Sequence, residues 1–201
     1  RTLRLNAAAF YMDYTDLQIV RFGPTADNPD FGQFSTENVG EAEIAGVEAE
    51  ITWAPSENFR LFATYAYLDT AVDDFTINGV DPTAIPGNSD DLRQAPENKY
   101  SLGGVIDFPL AGGSMISLRA DYYHTDEQIN DYINQKTVID AFDLLDARVS
   151  WTSASGNWQV ALWGKNLTDE EWVSHSYTIG PGVIGVWGAP ALYGVSVSYE
   201  L

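Results

Sequence analysis

ALYGVSVSYEL, residues 191–201, places an apolar side chain at every second position. Its odd-numbered residues are apolar, from Ala191 and Tyr193 to Leu201. Its even-numbered residues are mostly small or polar and include Ser196 and Ser198. Because successive side chains of a β-strand point to opposite sides of the backbone, this period of two predicts a strand with one apolar and one polar face.

Eight segments of the chain show the same alternation. We predict strands near 3–20, 36–53, 58–74, 97–108, 114–127, 137–152, 157–168 and 189–201. The connections alternate in length: 54–57, 109–113 and 153–156 are tight, whereas 21–35, 75–96, 128–136 and 169–188 are longer. Since every second connection of an antiparallel meander lies at the same end, the pattern predicts an all-β, up-and-down transmembrane β-barrel with short periplasmic turns and long extracellular loops.

Aromatic residues occupy two levels of the predicted apolar face. Those at the short-turn end are Trp53, Phe59, Phe108, Trp151, Trp158 and Tyr199, and those toward the long loops are Tyr11, Tyr67, Tyr100, Tyr122 and Tyr193. The eight residues from Phe59 to Tyr67 would separate the two levels by roughly 19 Å along the membrane normal. An apolar band of about 25 Å between aromatic girdles is typical of outer-membrane barrels. A soluble β-sandwich would also alternate, but it has no physical reason to sort its aromatics into two levels.

The composition narrows the class of protein. The chain has 201 residues, a net charge of −19 and no cysteine, which argues against nucleic-acid binding and excludes disulfides and thiolate metal sites. No apolar run approaches about 18 residues, so helical membrane insertion is excluded. Much of the acid lies in the predicted loops, where it either forms a solvated surface or binds divalent cations. The loop carboxylates include Asp73, Asp74, Asp81, Asp90, Asp91, Glu170 and Glu171.

The second face of the predicted strands is polar and charged. Unpaired buried charges are costly, so this face must meet water or matched partners, as a wet lumen or a polar plug would provide. The alternation predicts that Glu48, Glu50, Arg119, Asp121 and Arg148 face the lumen. It predicts that Val47, Leu118 and Val149 face lipid.

Five segments, in order and spacing, give the chain a family resemblance. They are AAFYMDYTDLQ (8–18), AEIAGVEAEITWAP (42–55), QAPENKYSLGGVIDFPL (94–110), VALWGKNLTDEEW (160–172) and APALYGVSVSYEL (189–201). Together they resemble the carboxyl-terminal β-barrel portion of a TonB-dependent outer-membrane receptor. The resemblance implies that residues 1–201 form one domain of about eight strands of a larger barrel, without the family's amino-terminal plug.

The resemblance also implies a function and partners. It implies energised uptake of a scarce nutrient across the outer membrane of a Gram-negative bacterium, with a ferric siderophore as the commonest cargo and vitamin B12 or a carbohydrate as other options. The implied partners are outer-membrane lipid, the TonB complex acting through the plug, a small-molecule cargo, and the barrel assembly machinery reading strand 189–201. The family usually ends in an aromatic residue, and Leu201 takes that place here.

Two other classes of protein fit the alternation. One is a complete, small eight-strand outer-membrane barrel of structural or adhesive type, and the other is a soluble β-sandwich carbohydrate-binding module. An enzyme is not expected, because the two histidines, His124 and His175, lie in different contexts and no catalytic grouping or phosphate loop is visible. His124 has the parity of the apolar face, so we expect an interfacial ring there. No cofactor or metal site is expected.

The long loops supply the candidate ligand-binding residues. Aromatic side chains offer contact area at low rotamer cost, and Arg93 could pair with an anionic cargo in an otherwise acidic rim. Each ring could instead pack its own loop or mark the membrane interface. The candidates are Phe31, Phe34, Phe75, Arg93, Trp172, His175, Tyr177 and Trp187.

Overall fold

Each of the eight alternating segments contributes one strand to an antiparallel sheet, although residues 18–20 and 36–38 of the predicted strands belong to a separate hairpin. The structure is a computed structural model, and it describes residues 2–25, 28–77, 79–135, 137–179 and 182–200. The strands are β1 (Leu3–Tyr14), β2 (Gln18–Thr25), β3 (Asn28–Asn38), β4 (Glu41–Ser56), β5 (Phe59–Asp73), β6 (Asn98–Pro109), β7 (Met115–Thr125), β8 (Phe142–Thr152), β9 (Trp158–Lys165), β10 (Val173–Ile179), β11 (Gly182–Trp187) and β12 (Leu192–Tyr199). A short 3₁₀ helix, Pro82–Ala84, lies between β5 and β6.

The sheet runs in the order β1-β4-β5-β6-β7-β8-β9-β12, and every pairing in it is antiparallel. Its two edge strands, β1 and β12, are not paired with each other in the part of the chain that the structure describes, so the barrel is not closed. The three predicted tight turns are confirmed. Gly113 and Gly156 adopt φ values of 87° and 79° in two of them, a left-handed conformation that favours glycine.

The long connections contain more regular structure than the sequence predicts. Residues 21–35 belong to a hairpin formed by β2 and β3, and residues 169–188 contain a second hairpin formed by β10 and β11. The first predicted strand, 3–20, breaks near Asp16, whose φ of 58° interrupts the extended backbone. Hydrogen bonds between Leu17 and its neighbours Val39 and Gly40 continue the pairing across that break. The hairpin β2–β3 therefore prolongs the ladder of β1 and β4 beyond the sheet.

The buried apolar cluster lies at the long-loop end of the sheet, where the ends of β4 and β5 meet β2 and the two long loops. Its buried members are Ile19, Val39, Ala42, Val72, Phe75, Ile77, Ile129 and Tyr132. Large apolar side chains on the sheet stay exposed in the described chain, such as Leu162 at 60% and Val195 at 64%. A sheet that leaves one apolar face uncovered needs another medium or partner to cover it.

The register assigns the two faces of the sheet. Leu118 lies opposite Val149, and Arg119 lies opposite Arg148, so each pair shares one face. We call the side that carries Leu118 and Val149 the apolar face, and the side that carries Arg119 and Arg148 the polar face. Among the described residues, no helix is long and apolar enough to cross a bilayer.

Candidate ligand-binding region at the long-loop end

Two long loops are hydrogen-bonded to each other above the sheet. They are residues 74–97, between β5 and β6, and residues 126–141, between β7 and β8. The backbone N–H of Gln94 donates to the carbonyl of Ile129 at 2.9 Å, and its side-chain amide donates to Asn130 Oδ1 at 2.9 Å. Gln135 Nε2 donates to the carbonyl of Ser89 at 2.8 Å, and the N–H of Ser89 returns a bond of 2.7 Å to Gln135 Oε1. The two loops thus form one layer.

The hairpin β10–β11 contacts the same layer. The hydroxyl of Ser176, which is buried, donates to the carbonyl of Thr137 at 3.1 Å. His175 Nδ1 lies 3.4 Å from Gln94 Nε2. His175 is exposed, so the structure brings this candidate to the surface of the loop layer next to the residue that joins the two loops.

Phe75 and Arg93 both contact Tyr132. The ring of Phe75 is 2% exposed, and its centroid lies 4.6 Å from that of Tyr132 in an edge-on arrangement. The guanidinium carbon of Arg93 lies 5.2 Å from the Tyr132 ring centroid, within the range of a cation–π contact. Arg93 is exposed, whereas Phe75 belongs to the loop core. In this conformation Phe75 supports the layer on which Arg93 is presented.

Trp172 anchors the base of the second hairpin. Its indole stacks on Phe142, the first residue of β8, with ring centroids 4.3 Å apart. The carbonyl of Trp172 accepts a hydrogen bond of 2.8 Å from the N–H of Gly188. The indole N–H is buried and has no hydrogen-bond partner in the described part of the chain. Trp172 is half-buried, so it offers less surface than the hairpin residues above it.

The remaining candidates lie on the two hairpins. Phe31 and Phe34 on β3 are 71% and 77% exposed, and Trp187 on β11 is 67% exposed. Tyr177 lies within β10, but its side chain is outside the described residues. Phe31 and Phe34 thus lie on the first hairpin, His175 and Trp187 lie on the second, and Arg93 lies in the loop layer that the second hairpin contacts.

A cavity of about 730 Å³ lies between the top of the sheet and the two long loops. None of the eight candidates lines it. Its lining includes the carboxylates of Asp69, Asp91, Glu97, Asp126 and Glu127. The described residues contain no group of three or more histidine, cysteine, aspartate or glutamate side chains that could hold a metal ion.

His124 ties together the two ends of the loop 126–141. Its Nδ1 lies 2.7 Å from Asp143 Oδ1, and its Nε2 lies 2.9 Å from Asp126 Oδ1. Asn98 donates to the other oxygen of Asp126 from both its backbone N–H, at 3.0 Å, and its side-chain amide, at 2.7 Å. These hydrogen bonds, first from His124 and then from Asn98, hold the pKa of Asp126 below its ordinary value.

The parity of His124 in the sequence predicts an interfacial ring, but it does not predict this pair of hydrogen bonds to Asp126 and Asp143. The contact with Asp126 could have been predicted from the sequence. Asp126 is two residues from His124, so in a strand the two side chains lie on the same face. The contact with Asp143 depends on the register of β7 against β8. Tyr132, which joins Phe75 to Arg93, had no such local signal.

The fold defines a class: a single antiparallel meander with tight turns at one end and structured loops at the other, as in outer-membrane β-barrels. Residues 1–167 match the family model described as TonB dependent receptor-like, beta-barrel, and the chain belongs to that family. Receptors of this family are outer-membrane proteins.

Solved structures with the same fold are receptors and transporters. The ferric yersiniabactin uptake receptor of Yersinia pestis is 15% identical and covers 100% of this chain with a TM-score of 0.79. A siderophore receptor of Acinetobacter baumannii is 18% identical over 98% of the chain, with a TM-score of 0.74. A copper transporter is 14% identical over 98%, with a TM-score of 0.66. The chain spans only 28%, 26% and 29% of these three proteins' own lengths.

Proposed function

We propose that this chain forms part of the barrel of an outer-membrane receptor that takes up a scarce nutrient with energy from the TonB complex, and that the cargo is a ferric siderophore. The observation that carries the proposal is the match of the eight-stranded sheet, with its order and loops, to the family model and to receptor structures. In the proposal, a plug domain fills the lumen and transmits energy from TonB, and the eight strands are part of a larger barrel.

The choice of cargo rests on the relatives and on the exposed loop residues. The first two similar structures are a ferric yersiniabactin receptor and a siderophore receptor. A copper transporter shares the fold, so the fold by itself is compatible with several cargoes. Exposed aromatic rings and an exposed cation at the long-loop end suit an aromatic, anionic iron chelate. Vitamin B12 and carbohydrates remain the alternative cargoes.

Within the proposed site the candidates have different tasks. Phe31, Phe34, Arg93, His175 and Trp187 would contact cargo, because their side chains are exposed on the loop layer and hairpins. Trp172 and Phe75 would support these surfaces, because Trp172 stacks on β8 and Phe75 is buried in the loop core. Tyr177 stays in the proposed set through its position in β10.

The two competing classes are less compatible with the structure. A complete eight-strand barrel requires β1 to pair with β12, and these strands are the open edges of the described sheet. A β-sandwich requires two packed sheets, whereas the described residues form one eight-stranded sheet and two separate two-stranded hairpins. The family and the similar structures are receptors and transporters, which supports transport over catalysis.

The test is uptake of radiolabelled iron by cells whose only siderophore receptor is the full-length protein containing this chain. Iron would be supplied as a catecholate, a hydroxamate or a mixed carboxylate siderophore complex. Arg93→Ala combined with Phe34→Ala should weaken binding of the transported complex about 10-fold or more, since each removes an exposed contact of about 1 kcal/mol. Glu57→Ala, which changes an exposed carboxylate in the short turn between β4 and β5, at the opposite end of the sheet, is the matched control. Absence of uptake for all three complexes would contradict the siderophore proposal.

A further inference from the structure

His124 lies where the sheet has neighbouring strands on both sides. It is the second-last residue of β7, which pairs with β6 on one side and with β8 on the other. Its parity is that of Leu118, so the ring lies on the apolar face. A plug in the lumen would cover the opposite face. The contacts of His124 therefore depend neither on a plug nor on the open edges of the sheet.

Both ring nitrogens of His124 lie against carboxylate oxygens. Nδ1 is 2.7 Å from Asp143 Oδ1 on β8, and Nε2 is 2.9 Å from Asp126 Oδ1 at the start of the loop 126–141. We call the ring and these two carboxylates the His124 clamp. A neutral imidazole carries one N–H, so it can donate to only one of the two acceptors. Its other nitrogen would then place a lone pair against a carboxylate oxygen.

The other contacts of the two carboxylates indicate where the protons lie. Asp126 Oδ2 accepts two N–H groups of Asn98, at 3.0 and 2.7 Å, and the hydrogen bonds from His124 and Asn98 hold the pKa of Asp126 below its ordinary value. Asp143 Oδ1 also accepts the hydroxyl of Tyr122 at 2.5 Å. Both carboxylates thus act as acceptors toward their other neighbours. The ring must therefore supply both protons of the clamp, as an imidazolium.

The ring is the member of this cluster that changes charge near neutral pH. Among the described residues, the titratable groups that face it are Asp126 from the loop, Asp143 from β8, Tyr122 from its own strand and Tyr100 from β6. Lys99 on β6 has the opposite parity and lies over the Tyr123 ring on the polar face. Carboxylic acids ordinarily titrate near about pH 4 and tyrosines near about pH 10, whereas histidine titrates between about pH 5 and 8. A rise in pH through neutrality therefore removes one ring proton, and with it one hydrogen bond of the clamp.

The loop that the His124 clamp holds at both ends positions Arg93. Its Tyr132 ring centroid lies 5.2 Å from the guanidinium carbon of Arg93. Its Ile129 carbonyl accepts the backbone N–H of Gln94, the next residue along the chain, at 2.9 Å. When one end of the loop is released, both contacts can shift, and the exposed side chain of Arg93 shifts with them.

We infer that His124 is a positioning residue for the cargo-binding loops and holds the loop 126–141 fully only as an imidazolium, so that the loop loosens and cargo affinity falls as the pH rises. The link to cargo rests on the proposed uptake function, whereas the hold on the loop does not. The hold is complete at the acidic end of the range. At the alkaline end it is reduced and not abolished, because a neutral ring still donates one hydrogen bond.

The first measurement is hydrogen exchange at the amides of Gln128 and Ile139, which pair with each other inside the loop. It uses the full-length receptor without cargo, and each rate is divided by the intrinsic exchange rate at that pH. Protection in the wild type should fall about threefold or more between about pH 6 and about pH 9. In His124→Phe, which keeps an aromatic ring against Tyr100, protection should be low at both ends. The same pH dependence in both proteins would overturn the inference.

Asp143→Asn is the matched variant, because it replaces one carboxylate oxygen with an amide nitrogen of similar size. That amide can donate to Nδ1 of a neutral ring, while Nε2 still donates to Asp126. Both bonds then survive loss of the ring proton, so protection should stay within about twofold over the same range. A fall as large as that of the wild type would overturn the inference.

Nitrogen-15 NMR of receptor labelled at histidine observes the ring directly. The His124 signals, assigned by their loss in His124→Phe, should show two protonated nitrogens at about pH 6 and one at about pH 9. A single protonated nitrogen at both pH values would overturn the inference.

Cargo affinity is measured separately, by titrating the purified receptor with the three ferric siderophore complexes of the uptake test. The complex that binds should bind wild type about threefold or more weakly at about pH 9 than at about pH 6, and should bind Asp143→Asn equally at both. The fall should persist in His175→Gln, since His175 is the other histidine of the chain. Its loss in that variant, or affinity independent of pH while the wild-type loop loosens, would overturn the positioning role. Binding of none of the three complexes would contradict the proposed function, and the exchange and NMR results would still decide whether the clamp holds the loop.

Discussion

At the scale of single residues, the imidazole of His124 links the two ends of the loop 126–141 through hydrogen bonds. One ring nitrogen of His124 is hydrogen-bonded to Asp126, at the start of the loop, and the other is hydrogen-bonded to Asp143, just beyond its end. Its ring also stacks on Tyr100, with centroids 4.7 Å apart. Because the ring lies on the apolar face near the end of β7, it fixes the loop at the level where the sheet ends.

We predict that His124→Phe loosens this loop while keeping the ring stack. Loss of the two hydrogen bonds should cost about 1–2 kcal/mol of local stability, or roughly a 5- to 30-fold increase in amide exchange. The amides to follow are Gln128 and Ile139, whose N–H groups bond each other's carbonyls within the loop. Tyr123→Phe changes the neighbouring residue on the opposite face and should leave both amides unchanged. Unaltered exchange in His124→Phe would show that the clamp does not hold the loop.

Adjacent glycines at 103 and 104 should differ in tolerance to alanine. A Cβ at Gly103 would lie 2.0 Å from Phe62 Cε2 and 2.7 Å from Asp121 Oδ1, whereas the nearest atom to one at Gly104 is the Arg60 carbonyl at 3.7 Å. Gly103→Ala should therefore displace the Phe62 ring and cost about 1–3 kcal/mol. Gly104→Ala should be close to neutral. Thermal unfolding of the two variants in detergent measures the difference, and equal midpoints would contradict the packing on the polar face.

At the scale of elements, the strands of the sheet were predictable and the hairpins were not. In a strand with one apolar and one polar face, apolar and polar residues must alternate. The alternation in segments 114–127 and 189–201 therefore predicts β7 and β12 without any information on their neighbours. β2 and β3 contain Gly23-Pro24 and Asn28-Pro29, which favour loops locally, and they form because the ladder of β1 and β4 continues into them. Regular structure that depends on a neighbouring ladder leaves a weak local signal.

The exposure of the candidate ligand-binding residues also depends on contacts that are distant in sequence. Phe75 and Trp187 are both aromatic residues in long connections, yet one is 2% exposed and the other is 67% exposed. The difference comes from Tyr132, which packs on Phe75 from a loop more than fifty residues away in sequence. The charge pairs on the polar face likewise depend on which residues the register places opposite each other. Sequence alternation predicted the face of Arg119 and Arg148 but not their pairing.

The second hairpin should depend on the fit between Gly188 and Trp172. A Cβ at Gly188 would lie 2.0 Å from Trp172 Cε2, so Gly188→Ala should disrupt the stacking of Trp172 on Phe142. We expect faster proteolysis within 173–187 and a changed near-ultraviolet circular dichroism signal. Gly185→Ala, in the same hairpin, places its Cβ 3.7 Å from Val173 and should behave as wild type. Similar proteolysis of both variants would exclude Trp172 as the anchor.

At the scale of the whole molecule, the open edges of the sheet determine how the 201-residue chain behaves by itself. β1 and β12 each have one hydrogen-bonded neighbour in the described sheet, so each leaves a row of backbone groups unpaired. We predict that the purified chain forms β structure in detergent but oligomerises through these edges. Light scattering after size-exclusion chromatography measures this. A monodisperse, heat-resistant monomer would favour a small closed barrel instead.

A transmembrane barrel requires one face of the sheet to contact lipid and the other to face the lumen. The chain contains no cysteine, so single cysteines can be introduced and spin-labelled in the full-length receptor in lipid bilayers. The measurement compares nitroxide collision with oxygen, which concentrates in lipid, and with a water-soluble nickel complex. Labels replacing Leu118 and Val149 should favour oxygen, and those replacing Arg119 and Arg148 should not. Equal oxygen preference at both pairs, or the reverse order, would contradict the assignment of the faces and with it the transmembrane barrel.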